Sequence, residues 1–254
     1  MASRGFLGAG DLYISRYNPA TGTFDGFTGP FEATKFEIKP NVELKELASR
    51  GRNTYGQVIE TVALPQPADF TLELPEVNKE SLSIALLGTE AAINQGSGSW
   101  ADTPVVVTKK GEWIDLGKQN VAEAGFAVEN SGGTVTYVKG TDYEINYRLG
   151  WLKILEGSAI ANGATVNVTG TYGAVGGTLI RGAVNSQIRA KFRLDGVNFA
   201  DQLPVIVDVF EAVISADSAF DFLSDDFATI SLPGRLKTPT GKTEPFTVQL
   251  LNAA

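Results

Sequence analysis

The sequence predicts a mainly β protein with one flanking α-helix and a small β domain inserted into a larger one. Short stretches rich in Val, Ile, Phe and Tyr recur between turns that contain Gly, Pro, Asn or Asp, which is typical of strands. A single segment combines helical spacing of apolar residues with a capping residue. Two linker-like segments, 89–99 and 170–177, set the central strands apart from those on either side.

The strands of the larger domain follow from alternation and from the positions of proline. In residues 187–194 every even-numbered residue is apolar and every odd-numbered one is polar or basic, which predicts a strand with one buried face. Residues 31–39 and 42–48, on either side of Pro40, are predicted to form one long strand or a strand pair, while Pro65 and Pro67 separate two more extended stretches. The predicted strands are 11–17, 31–39, 42–48, 57–64, 68–74, 187–194, 203–214, 229–232 and 245–251.

The segment Glu76–Gly88 is the predicted helix. Asn78 can cap it, because its side-chain oxygen can accept hydrogen bonds from the free amides of the first turn. Gly88 can adopt the left-handed conformation that ends many helices. The helix is expected to cover one end or side of a sheet through an apolar face, which consists of Leu82, Ala85 and Leu86.

Residues 98–177 are predicted to form the inserted β domain, and 1–97 together with 178–254 the larger one. All three tryptophans of the chain, Trp100, Trp113 and Trp151, fall within the insert. In a domain of this size aromatic side chains more often form the core, and stacking on sugars is the alternative. Strands of the insert are predicted at 105–107, 135–138, 143–147, 151–155 and 166–169.

Composition excludes several classes of function. The chain has 254 residues, neither Cys nor His, and a formal net charge of −8. Catalytic triads with His, Cys nucleophiles, and the usual zinc, haem and iron–sulfur ligands are therefore impossible. No apolar run reaches the length of a membrane-spanning helix, so none is expected. We expect no enzyme, no metal and no cofactor, and a chain that does not grip DNA phosphates.

An acidic stretch without a single basic residue runs from Asp195 to Gly234. It lacks the glycine turn and the distal Glu of an EF-hand, and it contains no recognisable carboxylate pair for glycoside hydrolysis. A solvated acidic face is the favoured interpretation. Its members are Asp195, Asp201, Asp208, Glu211, Asp217, Asp221, Asp225 and Asp226.

Residues 49–56 form a basic, polar and glycine-containing segment between two extended stretches. Loop tips on a rigid scaffold are common places for function. We expect a projecting hairpin whose Arg50 and Arg52 meet acidic groups of a partner. An ordinary loop and a contact with nucleic acid are the alternatives.

Several short motifs occur in a fixed order along the chain. They are Tyr17-Asn-Pro-Ala-Thr-Gly22, Leu47-Ala-Ser-Arg-Gly-Arg52, Ala68-Asp-Phe-Thr-Leu-Glu-Leu74, the helix from Asn78, Thr141-Asp-Tyr-Glu-Ile-Asn146, Gly150-Trp-Leu-Lys-Ile-Leu155, Ser158-Ala-Ile-Ala-Asn-Gly163, Phe192-Arg-Leu-Asp-Gly-Val-Asn198 and Leu203-Pro-Val-Ile-Val207. In this order they resemble the major tail tube protein of long, non-contractile-tailed bacteriophages. Many tube proteins lack an inserted domain of this kind.

The resemblance implies a tail-tube β-sandwich or barrel that joins sideways into hexameric rings around a lumen. The rings stack into a tube through which the genome passes without specific binding. It further implies initiator, tape-measure and terminator proteins as partners, assembly in the host cytoplasm, and a place in the virion tail. The inter-ring stacking loop corresponds here to Ser49, Arg50, Gly51, Arg52, Asn53, Thr54 and Tyr55.

Physical arguments agree with this expectation. Ring closure removes unpaired strand edges, and head-to-tail contacts that do not close on themselves generate filaments. An acidic lumen would repel phosphates, so we expect a lumen face formed by Asp195, Asp201, Asp208, Glu211, Asp217 and Asp221. The insert is expected on the tube exterior. The alternatives are a β-rich module that binds glycans or cell surfaces, and the inner tube of a contractile tail or related particle.

Overall fold

The computed structural model describes residues 5–215 and 219–252, and the chain divides into two compact units. Unit 1 comprises Met1–Glu90 and Ile180–Ala254, and unit 2 comprises Ala91–Leu179. The inserted domain was predicted at 98–177, so unit 2 begins seven residues earlier and ends two residues later than predicted. Among the described residues no helix is long and apolar enough to cross a membrane.

The described residues form seventeen strands and one helix. In chain order they are β1 (Gly8–Asn18), β2 (Thr23–Phe24), β3 (Thr28–Phe31), β4 (Lys35–Ala48), β5 (Val58–Leu74), α1 (Lys79–Ala85), β6 (Thr89–Gln95), β7 (Gly98–Val106), β8 (Trp113–Asp115), β9 (Ala127–Asn130), β10 (Tyr143–Asn146), β11 (Trp151–Ile154), β12 (Thr165–Tyr172), β13 (Val175–Arg181), β14 (Ile188–Asn198), β15 (Leu203–Ile214), β16 (Ile230–Leu236) and β17 (Phe246–Leu250). The protein is therefore mainly β, as the sequence predicts.

Unit 1 is built on a nine-stranded sheet in the order β2-β1-β14-β15-β16-β5-β4, with β17 beside β15 and β3 beside β1. A flat sheet would hold β5 and β14 about 14 Å apart, because neighbouring strands are about 4.8 Å apart. The rings of Phe70 on β5 and Phe192 on β14 are nevertheless only 4.8 Å apart between centroids. The sheet therefore curls over one shared core, which also contains Leu12, Ile14 and Leu72.

The helix begins where the sequence predicts it and ends earlier. Asn78 is the N-cap, and its side chain accepts hydrogen bonds from the amides of Glu80 and Ser81. The predicted left-handed end at Gly88 is wrong, because Leu87 adopts the positive φ of 47°. A glycine is required at position 88 for another reason: an added Cβ would lie 2.7 Å from the carbonyl oxygen of Arg181, which is too close.

The buried side of the helix also differs from the predicted face. Ser81, Ser83 and Ile84 are buried, whereas Leu82 and Ala85 pack against the core only in part. The serines are buried at little cost because they hydrogen-bond: the Ser81 hydroxyl to the start of the helix, and the Ser83 hydroxyl to a guanidinium on β1. Periodicity alone favoured the leucines and missed these satisfied polar groups.

Unit 2 has its own core between two three-stranded sheets, β10-β11-β8 and β7-β12-β9. Val128, Leu152, Ile154 and Val166 are fully buried there. The predicted strand 135–138 is absent: it is a loop that touches β9 through one isolated bridge. Both predicted linkers are corrected too, because much of each forms strand, with β6 and β13 paired as a two-stranded sheet.

Candidate functional site

A long two-stranded ribbon projects from the sheet of unit 1. Strand β16 pairs with β5 only over residues 69–74, whereas β4 pairs with β5 up to Ala48 and Val58. The predicted break in β5 is wrong, since the strand runs through Pro65 and Pro67. Within a two-stranded ribbon each strand has a free edge, so a proline there can lack its N–H without removing a ladder hydrogen bond.

One face of the ribbon is apolar near the sheet and becomes polar towards the turn, where Glu46 lies opposite Thr61. The register places Val42 opposite Pro65 and Leu44 opposite Ala63, and all four are exposed. The other face is mixed, because each apolar residue is opposite a charged one: Leu64 faces Glu43, Val62 faces Lys45 and Leu47 faces Glu60. Isolated two-stranded ribbons are at best marginally stable in water, and exposed apolar strands aggregate. The apolar part of this face is therefore the most unusual exposed surface of the ribbon.

The turn at the end of this ribbon, residues 49–57, is called the basic tip. Its backbone closes on itself through Ser49 N–H to the Gln57 carbonyl (2.7 Å) and Gly56 N–H to the Ser49 carbonyl (2.9 Å). The Ser49 hydroxyl is buried and lies 2.7 Å from the Thr54 hydroxyl. This ordered turn presents Arg50 and Arg52 to solvent.

The basic tip carries no counter-charge of its own. The remaining residues of the predicted stacking loop, Gly51, Asn53 and Tyr55, are exposed with the two arginines, and Tyr55 is 78% exposed. Among the described residues neither Arg50 nor Arg52 lies within ion-pair distance of a carboxylate. Apart from the buried Ser49, the residues of the predicted stacking loop therefore form one exposed, positively charged turn.

Two members of the predicted acidic face are corrected, because they are buried and paired with basic residues. The Glu211 carboxylate is 2% exposed and accepts hydrogen bonds from Arg189 Nε (2.7 Å) and Lys237 Nζ (3.1 Å). The Asp208 carboxylate accepts one from Arg193 Nε at 2.5 Å. Neither presents a free negative charge to solvent, since a carboxylate buried between strands needs a paired cation.

The environment of Glu211 sets its titration. Burial on its own raises the pKa of the Glu211 carboxyl, but the hydrogen bonds from Arg189 and Lys237 outweigh burial and hold that pKa below its ordinary value. Conversely, the hydrogen bond to Glu211 raises the pKa of Arg189. This cluster ties β14, β15 and the end of β16 together.

The remaining acidic candidates are scattered. Asp195 is exposed on β14, opposite Asp11 of β1 and Ile206 of β15. Asp201 lies in the turn between β14 and β15, where its carboxylate accepts the Leu203 N–H at 3.1 Å. Asp221 is exposed in the segment before β16, and Asp217 lies outside the described residues. The described members do not form one continuous acidic face.

The exposed residues that sequence reasoning missed follow β15. Phe222, Leu223 and Phe227 are exposed, Leu223 to 90%, beside Asp225 and Asp226. Three phenylalanines interleaved with aspartates in 220–227 were the available signal, because a segment that alternates in this way fits neither a buried strand nor an ordinary polar loop.

In unit 2 the tryptophans divide. Trp100 packs partly against the core, as the favoured interpretation predicts. Trp113 and Trp151 are 44% and 38% exposed, and they lie on the adjacent strands β8 and β11 with Lys153 Nζ 4.9 Å from the centre of the Trp113 ring. The core interpretation is therefore wrong for these two.

The acidic side chains of the described residues are dispersed. In residues 5–215 and 219–252 no cluster of three or more Asp or Glu side chains is arranged to hold a metal ion. The buried side-chain polar atoms of this region all have hydrogen-bond partners.

A family model described as "Protein of unknown function UCP028589" matches residues 5–246, so the chain belongs to that family. No curated protein is similar enough to the chain to count as a match.

Proposed function

We propose that this member of the UCP028589 family is a structural subunit of a bacteriophage tail tube. Copies of the chain join sideways into hexameric rings, and the rings stack around a lumen through which the genome passes. The observation that carries the proposal is the β4–β5 ribbon, whose apolar face is solvated in the single chain. Exposed apolar strands tend to aggregate, so the exposure of this ribbon is best explained by a partner surface that covers it in an assembly.

Free strand edges support the sideways contact. Within the described residues β17 has a ladder partner, β15, on one side only, and β3 pairs only with β1. Joining such edges between neighbouring subunits extends one sheet around a ring and leaves no edge exposed. The symmetry of six and the identity of the particle come from the resemblance of the sequence motifs.

Charge on the lumen surface forms a smaller part of the proposal. Asp195 and Asp201 are retained as lumen candidates. Asp208 and Glu211 are not, because basic partners neutralise them, and Asp221 lies instead among the exposed apolar residues before β16. The polar face of the sheet therefore carries compensated charges rather than a continuous acidic wall. Compensated charges let a phosphate backbone slide with little attraction, since binding to DNA scales with the number of phosphates neutralised.

The test is assembly of the purified chain, followed by negative-stain electron microscopy and light scattering over a range of concentrations. We expect hollow tubes or stacked rings, and we expect Arg50→Glu with Arg52→Glu to stop growth while leaving the circular dichroism spectrum unchanged. The matched control is Arg148→Glu with Arg181→Glu, the same change of charge on two exposed arginines outside the ribbon. Normal tubes from the tip variant would refute the stacking role of the basic tip.

Binding of a cell-surface glycan by unit 2 is a second candidate function, carried by the exposed pair Trp113 and Trp151. Flat aromatic faces beside polar side chains suit the apolar faces and hydroxyl groups of sugars. A glycan array tests it: binding should be lost in Trp113→Ala with Trp151→Ala and kept in Tyr55→Ala, a more exposed aromatic of unit 1. Equal binding by both variants, or none by the native chain, would exclude it.

A further inference from the structure

The segment before β16, residues 219–229, is called the acidic loop. Phe220 anchors it against the core and stacks edge-on with Phe222 at 4.7 Å between ring centroids. The Asp221 carboxylate accepts the Leu223 N–H at 2.8 Å, which shapes the turn. From this anchored base the side chains of Phe222, Leu223 and Phe227 extend into solvent. Apolar side chains exposed to water do not stabilise the single chain, so we interpret the loop as a contact surface.

The acidic loop and the basic tip have opposite charge. The loop carries Asp221, Asp225 and Asp226 and no basic residue, while the tip carries Arg50 and Arg52 and no acidic residue. In the part of the chain that the structure describes, none of these five side chains has an ion-pair partner. Both surfaces also expose aromatic rings, Tyr55 on the tip and the phenylalanines on the loop.

The two surfaces lie at opposite ends of the same strands. The acidic loop enters β16 at Ile230, which pairs with Leu74 at the last residue of β5. The basic tip precedes Val58, the first residue of β5. Sixteen residue steps of about 3.3 Å separate these ends, roughly 50 Å along the strand. The two surfaces of one copy therefore cannot meet each other.

We infer that the acidic loop of one copy receives the basic tip of the next copy along the tube axis. This inference rests on the proposed function and names the surface on which the stacking ribbon docks. Because the two surfaces have opposite charge and lie at opposite ends of the same strands, the contact is heterologous, that is, head to tail. A heterologous contact that does not close into a ring adds one copy after another and generates a filament. A nucleic-acid occupant is disfavoured, since three aspartates repel phosphates.

A charge swap tests the contact. Arg50→Glu with Arg52→Glu, and separately Asp225→Arg with Asp226→Arg, should each raise the critical concentration for assembly at least tenfold. The chain with all four substitutions should return to within about threefold of the native value, because opposite charges again face each other. Rings of the two double variants that form separately and are then mixed should also stack, since each supplies the surface that the other needs.

A cross-link provides a readout that does not depend on tube growth. The chain has no cysteine, so a mixture of Tyr55→Cys and Phe227→Cys chains can form an intermolecular disulfide only through the introduced residues. Mild oxidation should join the two chains at least tenfold more than it joins Tyr55→Cys to Val138→Cys, an exposed control in unit 2.

The outcomes separate the inference from the function on which it rests. If the native chain forms tubes and the loop variant assembles equally well, the inference is overturned and the tube function stays intact. The same holds if tubes form but the tip-to-loop disulfide does not. Failure of the quadruple variant to recover, with its native circular dichroism spectrum retained, also overturns it. A specific disulfide between chains that never form tubes supports the contact and refutes the tube.

Discussion

Replacing Leu44 by serine isolates the energy that the apolar face of the ribbon contributes to assembly. Leu44 lies opposite Ala63 on that face and is 60% exposed in the single chain. Complete burial of a leucine side chain stabilises by about 1.5–3 kcal/mol. Burial of the exposed three-fifths at a subunit contact is therefore worth roughly 1.5 kcal/mol, which corresponds to about tenfold in an association constant.

The assay is the critical concentration for assembly, measured by sedimentation of Leu44→Ser beside the native chain. We expect an increase of about tenfold. In the unassembled chain the free energy of unfolding should change by less than about 0.5 kcal/mol, because the side chain is already solvated there. Leu179→Ser, an exposed leucine of β13 outside the ribbon, is the matched control and should assemble normally. An unchanged critical concentration for Leu44→Ser would refute a buried role for the apolar face.

Three further predictions concern stability. Glu211→Gln should lower the free energy of unfolding by about 2 kcal/mol in denaturant titrations, because hydrogen bonds to a charged group are lost. Since the folded pKa of Glu211 is lowered, its contribution is present above its unfolded pKa and lost as the pH falls through the folded pKa; the native chain, unlike Glu211→Gln, should lose it in acid. Gly150→Ala should destabilise unit 2 by roughly 3 kcal/mol, since φ is +68° and the added Cβ would lie 1.6 Å from the Lys118 carbonyl oxygen, whereas Gly157→Ala should melt normally in calorimetry. Asn78→Ala should cost about 1 kcal/mol by loss of the N-cap, and an unchanged melting temperature would contradict the cap assignment.

Local patterns predicted the elements whose cause is local. The alternation in 187–194 specifies β14 because the side-chain period of a strand is two, and the register keeps its even-numbered residues in the core. Asn78 marks the helix start, because a cap acts through amides two and three residues away. The end of the helix was not predictable in the same way, because Gly88 is selected by the close approach of Arg181, a residue distant in the chain.

Features that depend on what lies beside a residue required the tertiary structure. The prolines of β5 are compatible with a continuous strand only because the ribbon has a free edge, and the sequence does not show which edges are free. The sequence predicted one acidic face. In the structure Arg193 neutralises Asp208, and Arg189 and Lys237 neutralise Glu211, across strand pairs.

By itself the sequence determined the mainly β class, the capped helix, an inserted central region and the absence of Cys and His chemistry, since composition and short-range spacing suffice for these. It also located the basic tip, because the residues of a turn are contiguous. Only the tertiary structure decided which apolar residues stay exposed, which carboxylates are paired, and that the basic tip and the acidic loop lie at opposite ends of β5. The physical reason is that exposure and pairing depend on strand order and register, which bring together residues far apart in the chain.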